Sequence, residues 1–448
     1  MMSLVKYHSL FQGESFRKYF TNTSWLLVER VINQGIALIM VIYTAHYLGV
    51  EQFGLFNYVR SFAAIIMTIA PLGVDSLLAR NLLNNPEQRN VIMGTSLLVR
   101  VGGTVACLLL TYLVNLLVGH DAETQLLVMV VAAAAVFEPF YLLNQFFTAN
   151  IQSRYHAYSE ITKTLVSTAV KILLIWYRAP LIWFALVLIL ESLTYALVSL
   201  SFYSVRFGSF RRWRPNFIYL RRLLTDAWPL AISGLVIMLH LKVDQVIIKH
   251  LLNTQAVGYY AAALRLSEST YFVPVVICAS LLPPMLNARK ISIGLYRTRL
   301  QQLFNLMVLL SLGIALPVTF LGDWIIDLVF GEAYHPAGAV LVLHIWSGVF
   351  VALGVAANGW LIAENLQRIA LYRTLLGVVT NIGLNFLLIP HLGIKGSALA
   401  TLISQAVTAY VSNLFSPQTR MLFFMQTRAL LGFSVLRRAR LLFSPAHP

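Results

Sequence analysis

Charge is scarce in this chain, and acid is scarcer than base. Only 11% of the 448 residues are Asp, Glu, Lys or Arg, and 33 basic side chains face 17 acidic ones. An ordinary soluble domain is about 25% charged, so a water-facing surface around so long a chain is excluded. Two cysteines, Cys107 and Cys278, lie inside apolar runs, which argues against a disulfide framework and a thiolate metal site. No glycine-rich loop ends in Lys-Ser or Lys-Thr, so no nucleotide-cradling loop is expected, and neither a cofactor nor a metal is implied. A short apolar segment with a small-residue cleavage site is also missing, so Trp25 onward reads as a retained first span.

What is abundant is apolar sequence. Hydrophobic residues make up 58% of the chain, and the mean hydropathy is +0.75. A helix needs about 20 apolar residues to cross the hydrocarbon core. Runs near that length fall at 25–47, 56–79, 91–118, 125–150, 161–177, 180–205, 228–251, 257–283, 303–330, 336–360, 368–390 and 395–416. They are continuously apolar rather than alternating, which excludes a transmembrane β-barrel. The expected fold is therefore an all-α integral membrane protein of about twelve helices, with no stretch left over for a soluble catalytic domain.

The net charge of +16 would suggest a nucleic-acid partner in a soluble protein. Here the cations gather in alternate loops, as the positive-inside rule requires. Lys6, Arg80, Arg89, Arg154, Lys163, Arg206, Arg289, Arg368, Arg373 and Arg420 fall on one side, with the arginines around them, against Arg178, Lys249 and Lys395 on the other. Both termini are thus expected in the cytoplasm and no nucleic acid is expected as a partner. The division is a cytoplasmic segment at 1–24, an N-lobe at 25–205, a linker at 206–227, a C-lobe at 228–416 and a cytoplasmic tail at 417–448. The tail mixes arginines with Leu, Phe and Met, the pattern of an amphipathic helix on a leaflet.

The halves repeat. Lys171-Ile-Leu-Leu-Ile175 aligns with Asn385-Phe-Leu-Leu-Ile389 at a shift of 214 residues, which also sets Arg154 on Arg368 and Ala149 on Ala363. Gly54-Leu-Phe56 matches Gly258-Tyr-Tyr260 at a shift of 204. An even number of spans in each half gives a parallel repeat about an axis along the membrane normal, with a cavity expected between the two lobes.

Ionisable groups within spans are costly and mark function. Arg30, Arg60, Arg100, Lys171, Lys242 and Arg265 are the cations concerned. Arg30, Asn33, Gln34 and Ala37 share one helical face, and Asn57, Arg60, Ser61 and Ala64 share another. Lys171 sits nearer an interface, where a long side chain can snorkel. Arg30, Arg60, Arg265, Lys171, Lys242, Asn33 and Gln34 are the candidate substrate contacts; structural ion pairs with Glu29, Asp75 or Glu268 are the alternative. Among the acids, Asp75, Asp244 and Glu138 are candidates for proton or sodium coupling, Asp244 lying one turn from His240. Cation-rich spans suit a polyanionic cargo, because arginine meets phosphate oxygens in bidentate geometry and keeps its charge.

Several motifs together resemble the Wzx-type O-antigen and polysaccharide repeat-unit flippases of the multidrug/oligosaccharidyl-lipid/polysaccharide (MOP) exporter superfamily. They are Thr23-Ser-Trp-Leu-Leu27, Tyr47-Leu-Gly-Val-Glu-Gln-Phe-Gly54, Leu72-Gly-Val-Asp-Ser76, Val243-Asp-Gln245, Val257-Gly-Tyr-Tyr260, Ala263-Leu-Arg265 and Ile389-Pro-His-Leu-Gly-Ile-Lys-Gly-Ser-Ala398. The resemblance implies a MATE-like bundle of two six-helix lobes in the bacterial inner membrane. It also implies a cargo of undecaprenyl-pyrophosphate-linked glycan and alternating access. A polysaccharide polymerase and a chain-length regulator are the implied partners, beside membrane lipid. In related lipid II flippases arginines of the first, second and eighth spans line the cavity, and Arg30, Arg60 and Arg265 occupy comparable spans here. A cation-coupled drug exporter would show an acid-dominated pocket instead. A membrane glycosyltransferase or polymerase would need larger acid-bearing outer loops, and no catalytic residue is expected.

Overall fold

The computed structural model describes residues 14–432, and residues 433–448 of the expected amphipathic tail lie outside them. Among the described residues the chain is helical throughout, with no strand. The helices are α1 (Glu14–Met67), α2 (Val74–Asn84), α3 (Arg89–Val118), α4 (Ala122–Ala133), α5 (Leu142–Ala149), α6 (Ser153–Trp176), α7 (Leu181–Arg206) and α8 (Phe217–Leu251). They continue with α9 (Thr254–Ser269), α10 (Phe272–Ile291), α11 (Ile293–Phe330), α12 (Ala337–His344), α13 (Ser347–Ala363), α14 (Gln367–Leu392), α15 (Ile394–Ala409) and α16 (Arg420–Leu430). In lipid no water can satisfy a free backbone N–H or C=O, so an all-helical chain is the expected solution.

Nine helical stretches among the described residues are long and apolar enough to span a bilayer, which makes this a multi-pass membrane protein. Three of the expected twelve are not separate stretches, for identifiable reasons. The first two fall in one stretch, Val28–Met67, divided by Gly49 with φ 70° and ψ 174°. The fifth lies in α6, where Arg154, Glu160, Lys163 and Lys171 dilute the apolar run. The last lies in α15, which has 16 residues, short of the ~20 that a span requires.

The structure divides into two compact units: the chain up to Leu48 with Leu55–Met238, and Gly49–Gly54 with the chain from Leu239 onward. In the first unit, Leu78, Ile92, Met93, Phe146, Phe147 and Tyr203 form a core that also takes in Trp213. Residues 206–227 are built onto that unit. Trp213 Nε1 donates to the Tyr203 hydroxyl at 2.8 Å, the Asn216 N–H donates to Thr95 Oγ1 at 3.0 Å, and Leu223 and Ala227 pack on Val74, Leu77 and Val99.

In the second unit, α10, α11 and α13 enclose Phe304, Met307, Leu353 and Leu361. Helix α16 is amphipathic, but its apolar stripe is covered by protein: Leu422, Met425 and Ala429 join that core, at the i, i+3 and i+7 spacing of one face. Gly54 and Gly258, matched in the sequence repeat, meet here; a Cβ on Gly54 would lie 2.8 Å from the Gly258 nitrogen. Small residues at such a crossing let two backbones approach and pack by dispersion, the main attraction available between helices in lipid. Between α11 and α12, exposed His335 Nδ1 sits 3.0 Å from the Asp327 carboxylate, a hydrogen bond that raises the imidazole pKa.

The repeat is also written in the backbone. Each unit contains a helix ending in the same turn, 214 residues apart. Gln152 N–H donates to Phe147 C=O at 2.8 Å and Ile151 N–H to Thr148 C=O at 3.1 Å; Leu366 N–H donates to Leu361 C=O at 2.8 Å and Asn365 N–H to Ile362 C=O at 3.1 Å. This is the Schellman pattern, which puts the residue after the helix in the left-handed region. Ile151 (φ 55°) and Asn365 (φ 59°) occupy it. Asparagine tolerates that region, whereas a β-branched residue there is strained. Replacing Ile151 with glycine is expected to stabilise the protein by about 1 kcal/mol, and Asn365→Ile to destabilise it by a similar amount. Thermal unfolding midpoints of the purified variants in one detergent check this; a lower midpoint for Ile151→Gly would contradict it.

Candidate functional site

The first unit holds most of the intramembrane charge, and much of it is paired. Arg100, buried on α3, places Nη1 2.5 Å from Asp75 Oδ1 of α2. Its Nη2 donates to the Glu138 carbonyl at 3.0 Å. Glu138 lies in a 3-10 segment, Ala134–Tyr141, just before Pro139. Arg100 thus ties two of the three candidate coupling acids into one cluster, Asp75 through its side chain and Glu138 through its main chain.

A second cluster joins α6 to α7. Lys171 Nζ lies 2.8 Å from Glu191 Oε1, which also accepts from the Ser167 hydroxyl. Arg60, half-buried on α1, acts electrostatically on the same carboxylate and holds its guanidinium 5.4 Å from the Phe56 ring centre. Arg60 and Lys171 therefore share one acid. Nearby on α6, Lys163 pairs with Glu160 at 2.5 Å and faces the stacked rings of Tyr141 and Tyr195. Lys163, counted with the cations of one side at the start of the run 161–177, is half-buried inside that helix.

The rest of the α1 face is open. Arg30 and Gln34 are exposed, and Asn33 is half-buried. Glu29, the acid nearest Arg30 in sequence, instead accepts from Asn33 Nδ2 at 2.6 Å. Among the described residues Arg30 has no ion-pair partner.

In the second unit the same question has a different answer. Arg265 is half-buried on α9 and forms no ion pair among the described residues, not even with Glu268. Lys242 is half-buried on α8, two residues before Asp244 and so about 200° away around the helix.

Asp244 is buried at 4% exposure, and the donors placed on it are neutral. Tyr260 donates its hydroxyl to Oδ2 at 2.8 Å, Thr401 donates to the same oxygen at 2.6 Å, and Asn385 Nδ2 donates to Oδ1 at 2.9 Å. Asn385 in turn reaches Asn381 Oδ1 at 3.2 Å. One turn before Asp244, His240 Nε2 meets Gln405 at 2.9 Å, while its Nδ1 is buried with no hydrogen bond among the described residues. These three donors satisfy the carboxylate without a cation. No group of three or more His, Cys, Asp or Glu side chains suited to a metal ion occurs among the described residues.

Reasoning from ionisable groups alone passes over Tyr260, Asn381, Asn385 and Thr401. A signal existed in Asn381 and Asn385, two amides one helical turn apart in an apolar span. Arg373, counted with the cations of one side, lies inside the apolar run 368–390, where its partners could not be read. It is buried and caps the C-terminal end of α15, with Nε donating to the Thr408 carbonyl at 2.9 Å and Nη2 to the Ala409 carbonyl at 3.3 Å.

Removing one partner of a buried ion pair leaves the other uncompensated, at a typical cost of 3–5 kcal/mol, whereas replacing both by apolar or neutral groups can be nearly neutral. Arg100 is buried but Asp75 keeps 35% of its side chain exposed, so Arg100→Ala is expected to destabilise the protein by less than that, about 1–2 kcal/mol, and Asp75→Asn with Arg100→Met to recover most of that loss. Unfolding midpoints of the single and double variants measure it. Equal losses in both would remove the ion pair as the cause.

Comparison with known proteins agrees with this architecture. Residues 19–288 match the family model described as polysaccharide biosynthesis protein. A probable low-salt glycan biosynthesis flippase, Agl15 of Haloferax volcanii, is 25% identical over 198 residues, 43% of this chain and 41% of that relative. The match thus spans less than half of the relative's length. The fold is similar to that of an inward-facing multidrug resistance MATE family transporter of the MOP superfamily, with TM-score 0.70, 14% identity, and coverage of 95% of this chain and 100% of that one. It is also similar to the lipid II flippase MurJ in an inward closed conformation, with TM-score 0.67, 15% identity and 92% of each chain covered. With more than half of its length inside the family model, the chain belongs to the polysaccharide biosynthesis protein family.

Proposed function

We propose that the protein is a transporter, a flippase that moves a lipid-linked oligosaccharide across the membrane, and not an enzyme. The family membership supports a role in polysaccharide export. The observation that carries the anionic cargo is the presence of Arg30 and Arg265 on membrane helices with no acid paired to either among the described residues. A cation at membrane depth needs a partner or a polar surrounding, and a pyrophosphate supplies the partner. In this reading Arg30, Arg60 and Arg265 receive the pyrophosphate of an undecaprenyl-linked O-antigen or related repeat unit. Asn33 and Gln34 meet its polar groups, and Lys171 and Lys242 add positive field. The chain crosses the bacterial inner membrane about twelve times, in two six-helix lobes with both termini in the cytoplasm. It works by alternating access beside a polymerase and a chain-length regulator.

Of the three candidate coupling acids, Asp244 is favoured over Asp75 and Glu138. Asp75 already has a guanidinium beside it, and Glu138 has the same arginine on its carbonyl. The neutral donors around Asp244 leave its charge for a proton or sodium ion.

Complementation of a deletion strain for surface glycan, at matched protein levels, tests the cargo reading. Arg60→Ala and Arg265→Ala are each expected to lower glycan display at least tenfold, a loss of about 1.4 kcal/mol or more in transition-state binding. Full display by both, and by Arg30→Ala, would sink it. A separate measurement addresses coupling. Transport into vesicles is expected to lose its dependence on a proton or sodium gradient in Asp244→Asn and to keep it in Asp75→Asn; the opposite pattern would move the coupling site to Asp75.

A further inference from the structure

The first unit has a cavity of about 460 Å³ lined by Arg154, Tyr155, Tyr158, Phe202, Val205 and Arg206, together with Ser201. That is within the 300–1,000 Å³ range of small-ligand clefts. It lies where the start of α6 meets the end of α7, so it is formed entirely within one unit.

Its two ends differ in chemistry. Tyr158, Phe202 and Val205 make an apolar wall, and Val205 is 80% exposed, so the wall opens sideways. Two guanidinium groups flank it, and neither Arg154 nor Arg206 has an acid partner among the described residues. Arg154 is positioned by its neighbour: Nη2 donates to the Tyr155 hydroxyl at 3.1 Å, and the guanidinium lies 4.8 Å from that ring's centre.

Helix stability does not account for Arg154. It is the second residue of α6, where the macrodipole disfavours a cation. Arg206 ends α7 and suits its own dipole, but the two charges flank one cavity and repel each other without an anion. An apolar wall beside two arginines at the end of a pair of membrane helices matches an amphiphile with a phosphate head. Basic pockets between membrane helices bind anionic head groups in this way.

We infer that this cavity is a binding site for an anionic glycerophospholipid of the surrounding bilayer, its phosphate held by Arg154 and Arg206 and an acyl chain lying on Tyr158, Phe202 and Val205. The site is separate from Arg30, Arg60 and Arg265 and goes beyond the transport reading. Such a lipid would anchor the α6–α7 pair at the bilayer surface.

The experiment uses the purified full chain in detergent with equimolar phosphatidylglycerol and phosphatidylcholine, and counts retained lipid by native mass spectrometry. Wild type is expected to favour phosphatidylglycerol by roughly 10- to 30-fold. Arg154→Gln with Arg206→Gln is expected to lose that preference. So is Val205→Trp, which fills the cavity and leaves both arginines in place; all three positions are exposed, so folding is not at stake. Equal retention of the two lipids by wild type would overturn the proposal, as would an unchanged preference in either variant. Displacement by equimolar inorganic phosphate would reassign the site to a free anion. Displacement by equimolar undecaprenyl phosphate, with phosphatidylglycerol ineffective in return, would reassign it to the cargo's path.

Discussion

The low dielectric of the membrane penalises a lone charge by several kcal/mol, and the chain's few acids are arranged around that penalty. Asp75 meets Arg100, Glu191 meets Lys171, and Glu160 meets Lys163. Each pair bridges or braces helices that the apolar surface alone would hold only loosely, because lipid tails are as apolar as leucine and give helices little hydrophobic reason to associate. Asp244 satisfies the same constraint without a cation, using three neutral donors drawn from α9, α14 and α15.

This divides the cations into two kinds. Arg100 is engaged on both sides of its guanidinium, and Arg373 closes a helix end. These are structural by geometry. Arg30 and Arg265 stand on membrane helices and form no ion pair among the described residues; these are the two on which the proposed cargo reading rests. Arg60 and Lys171 are intermediate, sharing Glu191, so that one negative charge is divided between two positive ones. A basic excess of this kind accommodates a phosphorylated cargo better than a cationic one.

The internal repeat links these observations. The Schellman turns at Ile151 and Asn365 put the following helices in register, so that Arg154 and Arg368 each become the second residue of a helix. The equivalent positions then diverge in chemistry. Lys171 reaches an acid on the next helix, while its repeat mate Asn385 donates to Asp244. One backbone plan therefore carries an ion pair in one unit and a neutral cage around an acid in the other.

The apolar runs, the cation bias of alternate loops, the repeat and the family motifs were all legible in the sequence, because each depends on composition or on spacing within one helix. Arg30, Arg60, Arg265 and Asp244 stood out for the same reason, as charges in apolar runs. The partners were not legible. Asp75 and Arg100 are 25 residues apart, Lys171 and Glu191 are 20 apart, and Asp244 reaches Asn385 and Thr401 across 141 and 157 residues. The charge count likewise gave Lys163 and Arg373 a side but no partner, since it does not register a helix that carries its cation inward. By itself the sequence determined that the chain crosses a membrane many times and which of its charges had to be accounted for. Only the tertiary structure decided which of them are neutralised from within, because that depends on helices meeting at a few ångströms and not on any spacing along the chain.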